Sequence, residues 1–241
     1  MCANPAVLCS IEIAVMPTRA FKPIPQAVCP SKQQSLADYK DLASGYDATC
    51  EYVTHVRSQA IEQLDVKPGQ VVLDIACGTG ATLLALAERV GATGKVLGVE
   101  QSPDMAALAR QRIESHALKA AIELHVTAAE ELNTRLQADA VLMCFTQDVL
   151  QNPQALKRIF SCVKPGASLA VTGVRLQPWL YAWPINLWAL ARSKSYFTTT
   201  RGLMQPWAPL LAYCPDLKLQ RTYHMGLTYL ASGHYQPKEL E

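Results

Sequence analysis

Five short runs dominate the middle of the chain: VVLDIA (71–76), KVLGVE (95–100), AIELHVT (121–127), DAVLMCF (139–145) and SLAVTGV (168–174). Their length and apolar content read as strands, and helical segments recur between them. A strand that is apolar on both faces needs cover on both faces, so the pattern implies a parallel sheet with helices on each side. Short right-handed crossovers between such strands give a doubly wound α/β fold. The helices are marked by their ends. SPDMAALARQRIESHAL places Ser102 as N-cap with Pro103 at the first turn, and NPQALKRIFSCV repeats the device with Asn152 and Pro153. ATLLALAERV reads as a helix that stops near Gly91, while KPGQ and KPGA read as turns.

The flanks differ from this core. LADYKDLASGYDATCEYVTHVRSQAIEQL contains two helical pieces divided by Gly45; the second puts Tyr52, Val53, Val56, Ala60, Ile61 and Leu64 at helical spacing. After Val174 the chain carries all four tryptophans, and LKLQRTYHMGLTYLASGHY alternates as a terminal antiparallel hairpin would. Residues 1–33 hold Pro5, Pro17, Pro23, Pro25 and Pro30, which exclude one continuous helix, and read as an irregular arm. This arm lacks a basic residue before its apolar part, and Glu12 interrupts it, so it does not read as a secretory signal. The expected organisation is therefore the arm (1–33) and a single domain (34–241). That domain divides into a helical cap (34–66), a ligand-binding core (67–174), and an aromatic-rich cap with the terminal strands (175–241).

Composition narrows the function. Charged residues make up 17% of the chain at a formal charge of +2, and the basic ones are scattered, which sets nucleic acid aside. None of the eight cysteines forms a CxxC pair; no metal is expected, and reduced thiols fit a cytoplasmic setting. No apolar stretch approaches the roughly 20 residues of a membrane span.

VLDIACGTG (72–80) carries the chemistry. Gly78 and Gly80 let a ligand lie against the main chain. The loop is not GxxxxGK[ST], and Leu83 stands where GxGxxG would need its third glycine. Asp74 would repel a pyrophosphate but pairs well with an ammonium; its plainer role is a buried acid satisfied by loop amides. Glu100 closes the second strand and can accept both hydroxyls of a ribose. An ammonium, a ribose and no phosphate describe S-adenosylmethionine.

With these residues in place the chain resembles the class I S-adenosylmethionine-dependent methyltransferases over residues 35–174. VLDIACGTG is similar to the family's first motif, GVEQSPDM to its second, AAEEL to its third, and VKPGASLAV to the segment around its fifth strand. The resemblance implies a seven-stranded, mostly parallel, Rossmann-like sheet with an antiparallel C-terminal hairpin. It implies that Asp74 and the backbone of Ala76 hold the methionine ammonium, and that Gly78 and Gly80 make room for the methionyl chain and ribose. Glu100 would bind the ribose, Gln101 and Met105 would flank the adenine, and the amide of Ala129 would meet the ring. Many relatives carry an aspartate just before that alanine. Here it is Ala128, so either Glu130 or a water substitutes, or adenine binds less tightly.

The remaining candidates surround the acceptor. Tyr39 and Tyr46 belong to the cap that folds over the cofactor in related enzymes; Tyr46 either covers the sulfonium end or anchors the cap. CFTQDVL leaves the fourth strand, so Phe145 and Thr146 line the cofactor, and Gln147 either points towards the acceptor or caps the next turn. Asp148 is either a general base or a solvated acid at the start of a helix. His224 is the histidine nearest the substrate mouth, against the commoner structural role of a lone histidine; His55, His116 and His125 are assigned none. Trp179 and Trp183 open an apolar stretch that either roofs a pocket for an apolar or aromatic acceptor, touches a membrane or a second subunit, or completes the core. The resemblance thus implies methyl transfer to a small molecule. A lipid-directed enzyme, acting on a phospholipid amine or a quinone, is the alternative, and a non-catalytic cofactor-binding protein or a dehydrogenase the contrasting classes.

Overall fold

A computed structural model describes residue 36 and residues 51–116, 121–193, 196 and 198–237. The arm at 1–33, and Tyr39 and Tyr46, lie outside the described residues. A short 3-10 turn, Glu51–Val53, leads into helix α1 (Thr54–Gln63). The alternation follows: β1 (Val71–Ile75), α2 (Leu83–Val90), β2 (Lys95–Glu100), α3 (Pro103–Glu114), β3 (Ala121–Val126), β4 (Ala138–Cys144), α4 (Gln147–Leu150), α5 (Pro153–Phe160) and β5 (Val163–Val174). Helix α6 (Trp179–Ser193) then precedes β6 (Lys218–Tyr223) and β7 (Thr228–His234).

The seven strands form one sheet in the order β3-β2-β1-β4-β5-β7-β6. The first five run parallel, and β7 is antiparallel to both of its neighbours. The order reverses between β1 and β4, the switch point outside which ligands bind in open α/β sheets.

Pleating sorts the core into two layers. Leu73, Ile75, Leu97 and Val99 join α5, Trp207 and Tyr229 on one face; Val72, Val96, Leu142 and Leu230 join α1 and α2 on the other. α2 buries Leu83, Leu86, Ala87 and Val90, a helical stripe that explains its placement. Both expected caps form: the Ser102 hydroxyl accepts from the Met105 N–H at 3.4 Å, and Asn152 Oδ1 accepts from Gln154 and Ala155 at 3.0 and 3.2 Å.

Three local expectations are corrected. Ala76 and Phe145, read as the last residues of strands, leave them with left-handed backbones (φ 52° and 59°). The KPGA turn lies inside β5, because the Gly166 N–H donates to Tyr235 and the Tyr235 N–H to Ala167, each at 2.8 Å, extending the pairing past the turn. The terminal hairpin is joined by a tight turn, His224–Gly226, with three consecutive left-handed residues.

Candidate functional site

Asp74 and Glu100 stand at the exits of adjacent strands. By alternation both project to the face that carries Val72 and Val96. Both are nearly inaccessible to solvent. The Thr82 hydroxyl donates to Asp74 Oδ2 at 2.5 Å, so Thr82, at the start of α2, spends its side chain on the acid rather than on capping its own helix. Burial is the main force on Asp74 and raises its pKa to about 7; the charge of Glu100 adds to the rise, while Thr82 and the Arg57 guanidinium oppose it.

Glu100 is bridged differently. Oε2 accepts from the Gly78 N–H at 2.9 Å and Oε1 from the Ser102 N–H at 2.7 Å. One carboxylate thereby ties the loop after β1 to the loop after β2, and the Gln101 backbone amide is a third donor to it. Burial raises the carboxyl's pKa, with the backbone amides working against it.

Between the acids the main chain is bent and bare. Ala76, Gly78 and Gly80 are all left-handed, at 52°, 58° and 77°. A Cβ at Gly78 would meet nothing within 4 Å, whereas one at Gly80 would stand 3.1 Å from both Ala109 and Leu83. Gly78 thus opens on space beside the acids, and Gly80 lets α3 close against the loop. Arg112 of α3 braces it further by donating to the Thr79 carbonyl at 2.9 Å. A ligand carrying a cation and vicinal hydroxyls fits this cradle; a phosphate does not, with two buried acids facing it.

The other expected cofactor contacts stand around these. Met105 is buried in the first turn of α3, Gln101 is partly exposed, and Ala129 is buried in a 3-10 turn, Ala129–Glu131, with Glu130 partly exposed beside it. Phe145 is half-buried at the exit of β4, its N–H donating to Thr172 at 2.7 Å, and Arg57 of α1 lies 5.6 Å above its ring.

On the acceptor side the candidates are engaged in structure. The Thr198 N–H and hydroxyl donate to Asp148 at 2.9 to 3.1 Å, and the Gln147 amide donates to the Arg201 carbonyl at 2.8 Å. Both side chains fasten the segment 198–207 over the exits of β4 and β5. Asp148 is therefore a partly buried anchor rather than a solvated acid; burial raises its pKa against the hydrogen bonds from Thr198. His224 has its Nδ1 3.0 Å from the Thr228 hydroxyl and its ring 5.8 Å from that of His55; burial and His55 lower its pKa. Trp179 opens α6. Trp183, expected against the acceptor, faces outward at 56% exposure, because α6 is seated instead by Ala182, Asn186 and Ala189. Asn186 holds that seat through paired hydrogen bonds with the Gln177 backbone at 2.8 and 2.9 Å.

Sequence reasoning did not find Arg57, Thr82, Arg175 or Tyr229. Thr82 alone had a local signal, eight residues after Asp74 and at a helix start. Among the described residues no group of three or more His, Cys, Asp or Glu could hold a metal ion, and no helix is long and apolar enough to cross a membrane.

Comparison with known proteins adds to this geometry. Residues 72–166 match the family described as methyltransferase domain. Demethylmenaquinone methyltransferase of Bacillus cereus (strain ATCC 10987 / NRS 248) is 34% identical over 149 residues, 58% of this chain and 62% of that one. The enzyme of the same name from Bacillus mycoides (strain KBAB4) is 32% identical over 146 residues with the same coverage. The chain thus spans 62% of the length of these relatives. Among solved structures, a SAM-dependent O-methyltransferase from Thermotoga maritima superposes with a TM-score of 0.57 at 17% identity, covering 78% of this chain and 67% of that one. The N-methyltransferase NodS from Bradyrhizobium japonicum WM9, in complex with S-adenosyl-L-homocysteine, gives 0.55 at 14% identity, with 75% and 86% coverage. These two likenesses establish the fold.

Proposed function

We propose that the chain, whose residues 72–166 match the methyltransferase-domain family, acts as a class I S-adenosylmethionine-dependent methyltransferase on a small apolar or aromatic acceptor, with a quinone the best-supported kind. The observation that carries the reading is the pair of buried acids, Asp74 and Glu100, flanking a main chain stripped of bulk at Gly78. Asp74 takes the ammonium, and Arg57, whose charge already reaches Asp74, takes the carboxylate of the same amino acid. Glu100, held in place by the Gly78 and Ser102 amides, accepts from the ribose hydroxyls. Met105, Gln101 and Ala129 bound the adenine side.

When bound, the cofactor supplies a methyl group on a sulfonium whose sulfur departs uncharged. What remains for the protein is alignment and exclusion of water. Phe145 closes the β4 exit beneath Arg57, and the segment 198–207, anchored by Asp148 and Gln147, covers the acceptor side. The quinone reading draws on the Bacillus relatives, which are demethylmenaquinone methyltransferases. A lipid-borne acceptor is further favoured by α6, which turns Leu180, Trp183, Leu187 and Trp188 to solvent.

Calorimetric titration with S-adenosylmethionine, S-adenosylhomocysteine and NAD tests the assignment. The first two bind and NAD does not. Glu100→Ala weakens S-adenosylmethionine by roughly tenfold or more, the cost of one or two unmade ribose hydrogen bonds at about 1–3 kcal/mol. Tight NAD binding with no response to the sulfonium would sink the proposal.

A further inference from the structure

Buried polar side-chain atoms are rarely left without partners, because an unmade hydrogen bond in the interior is costly. Among the described residues five such atoms occur: Thr146 Oγ1, Gln151 Nε2, Arg175 Nε, Tyr223 Oη and Tyr229 Oη. Tyr223 stands apart, its ring 5.2 Å from His55. The other four belong to one neighbourhood. Thr146 and Gln151 follow β4, Arg175 follows β5, and Tyr229 lies on β7 beside Gly173, where its hydroxyl would sit 3.5 Å from an added Cβ. The Tyr229 ring packs 4.7 Å from Trp207, and the Arg175 guanidinium is 5.6 Å from that same Trp207 ring.

One roof covers these groups. The Leu176 N–H donates to Leu203 at 2.8 Å, Gly202 packs on the Gln151 amide, and Gln147 and Asp148 hold Arg201 and Thr198. Tyr229 and Thr146 are both more than nine-tenths buried. Gly173 and Tyr229 lie on the face opposite Asp74 and Glu100, so these donors are distinct from the cofactor's own ligands, while Thr146 adjoins Phe145 at the β4 exit between the two.

The chemical character of the four atoms is uniform: each can donate, and one belongs to a permanent cation. A ligand that completes them must offer acceptors. We propose that the exits of β4 and β5 and the start of β7 form the acceptor-recognition site, in which Tyr229, Thr146 and Arg175 donate hydrogen bonds to ring oxygens, carbonyl or phenolate, of the molecule to be methylated. The inference rests on the methyltransferase reading and narrows it: an ammonium or amine headgroup would place donor against donor beside Arg175 and is rejected. Burial, aided by the neighbouring Cys144 thiol, raises the Tyr229 pKa, so the phenol keeps its proton for donation. The Trp207 ring beside Tyr229 supplies a flat surface for an aromatic ligand.

The test uses the full chain saturated with S-adenosylhomocysteine and two flat probes, 2-hydroxy-1,4-naphthoquinone and 1-naphthylmethylamine, followed by calorimetry. The oxygen-bearing probe binds at least about tenfold more tightly than the amine, the difference one or two charge-assisted hydrogen bonds would make. Tyr229→Phe and Thr146→Val each weaken the quinone about tenfold and do not lower the melting temperature, since each removes an unpartnered buried hydroxyl, and Tyr229→Phe leaves S-adenosylhomocysteine affinity unchanged. Equal quinone affinity in wild type and both variants, no quinone binding at all, or an amine that binds as tightly, would overturn the site. Wild-type protein that fails to bind S-adenosylhomocysteine would instead overturn the methyltransferase reading, and this inference with it.

Discussion

Asp74 sits at a protonation crossover, its carboxyl lifted by burial from 3.8 to about 7. Because the folded state holds the proton more tightly than the unfolded state does, stability contributed by this group is complete at low pH and is lost as pH rises from 3.8 through about 7. Asp74→Asn removes that slope: melting curves taken across this range show the wild type losing stability relative to the variant as pH increases. A cationic ligand favours the carboxylate, so S-adenosylmethionine binding near neutral pH releases a proton, which appears as a dependence of the calorimetric heat on the buffer's ionisation enthalpy. An identical heat in all buffers would count against Asp74 as the ammonium's partner. At this scale the two acids and two glycines were legible in the sequence, because strand ends and loop bareness are local properties. The left-handed Ala76 and Phe145 were not, since neither residue type favours that backbone and only the surrounding sheet imposes it. Arg57 and Tyr229 reach the site from far along the chain, and nothing near them in sequence announces it.

The segment 198–207 is the element most open to manipulation. Its attachments are side chains from the short helix after β4, chiefly Asp148 with its bonds to Thr198. Asp148→Ala removes them at a local cost of about 1–3 kcal/mol. Amide hydrogen exchange in 198–207 then quickens about tenfold or more, with acceptor KM raised and S-adenosylhomocysteine affinity unchanged. A variant whose exchange and KM match the wild type would show that the roof is held by other contacts. Helices α3 and α5 were readable from Ser102-Pro103 and Asn152-Pro153, because a cap and its helix are sequence neighbours. The reach of β5 was not readable: Gly166 and Ala167 pair with Tyr235, a partner far away in the chain, and a lysine-proline-glycine stretch otherwise spells a turn.

At the scale of the whole molecule, α6 presents, among the described residues, an apolar surface that packing alone does not explain. It buries Ala182, Asn186 and Ala189 and exposes Leu180 at 94%, Trp183 at 56% and Trp188 at 60%. An exposed stripe of this kind is what a contact surface would present. Flotation with phosphatidylglycerol vesicles carries the wild type upward with the lipid, and Leu180→Ser combined with Trp183→Ser and Trp188→Ser leaves the protein at the bottom with its melting temperature unchanged. Wild type that never floats would remove the lipid contact. The overall doubly wound sheet was legible because its alternation repeats, whereas the seat of α6 rests on Ala182, Ala189 and an asparagine, Asn186, clasping the Gln177 backbone just ahead of the helix. The strand order carries a consequence for assembly. β7 follows β6 in the chain yet lies between β5 and β6 rather than at the rim, so Tyr229 comes to stand beside Gly173 only once the β6–β7 pair docks on β5.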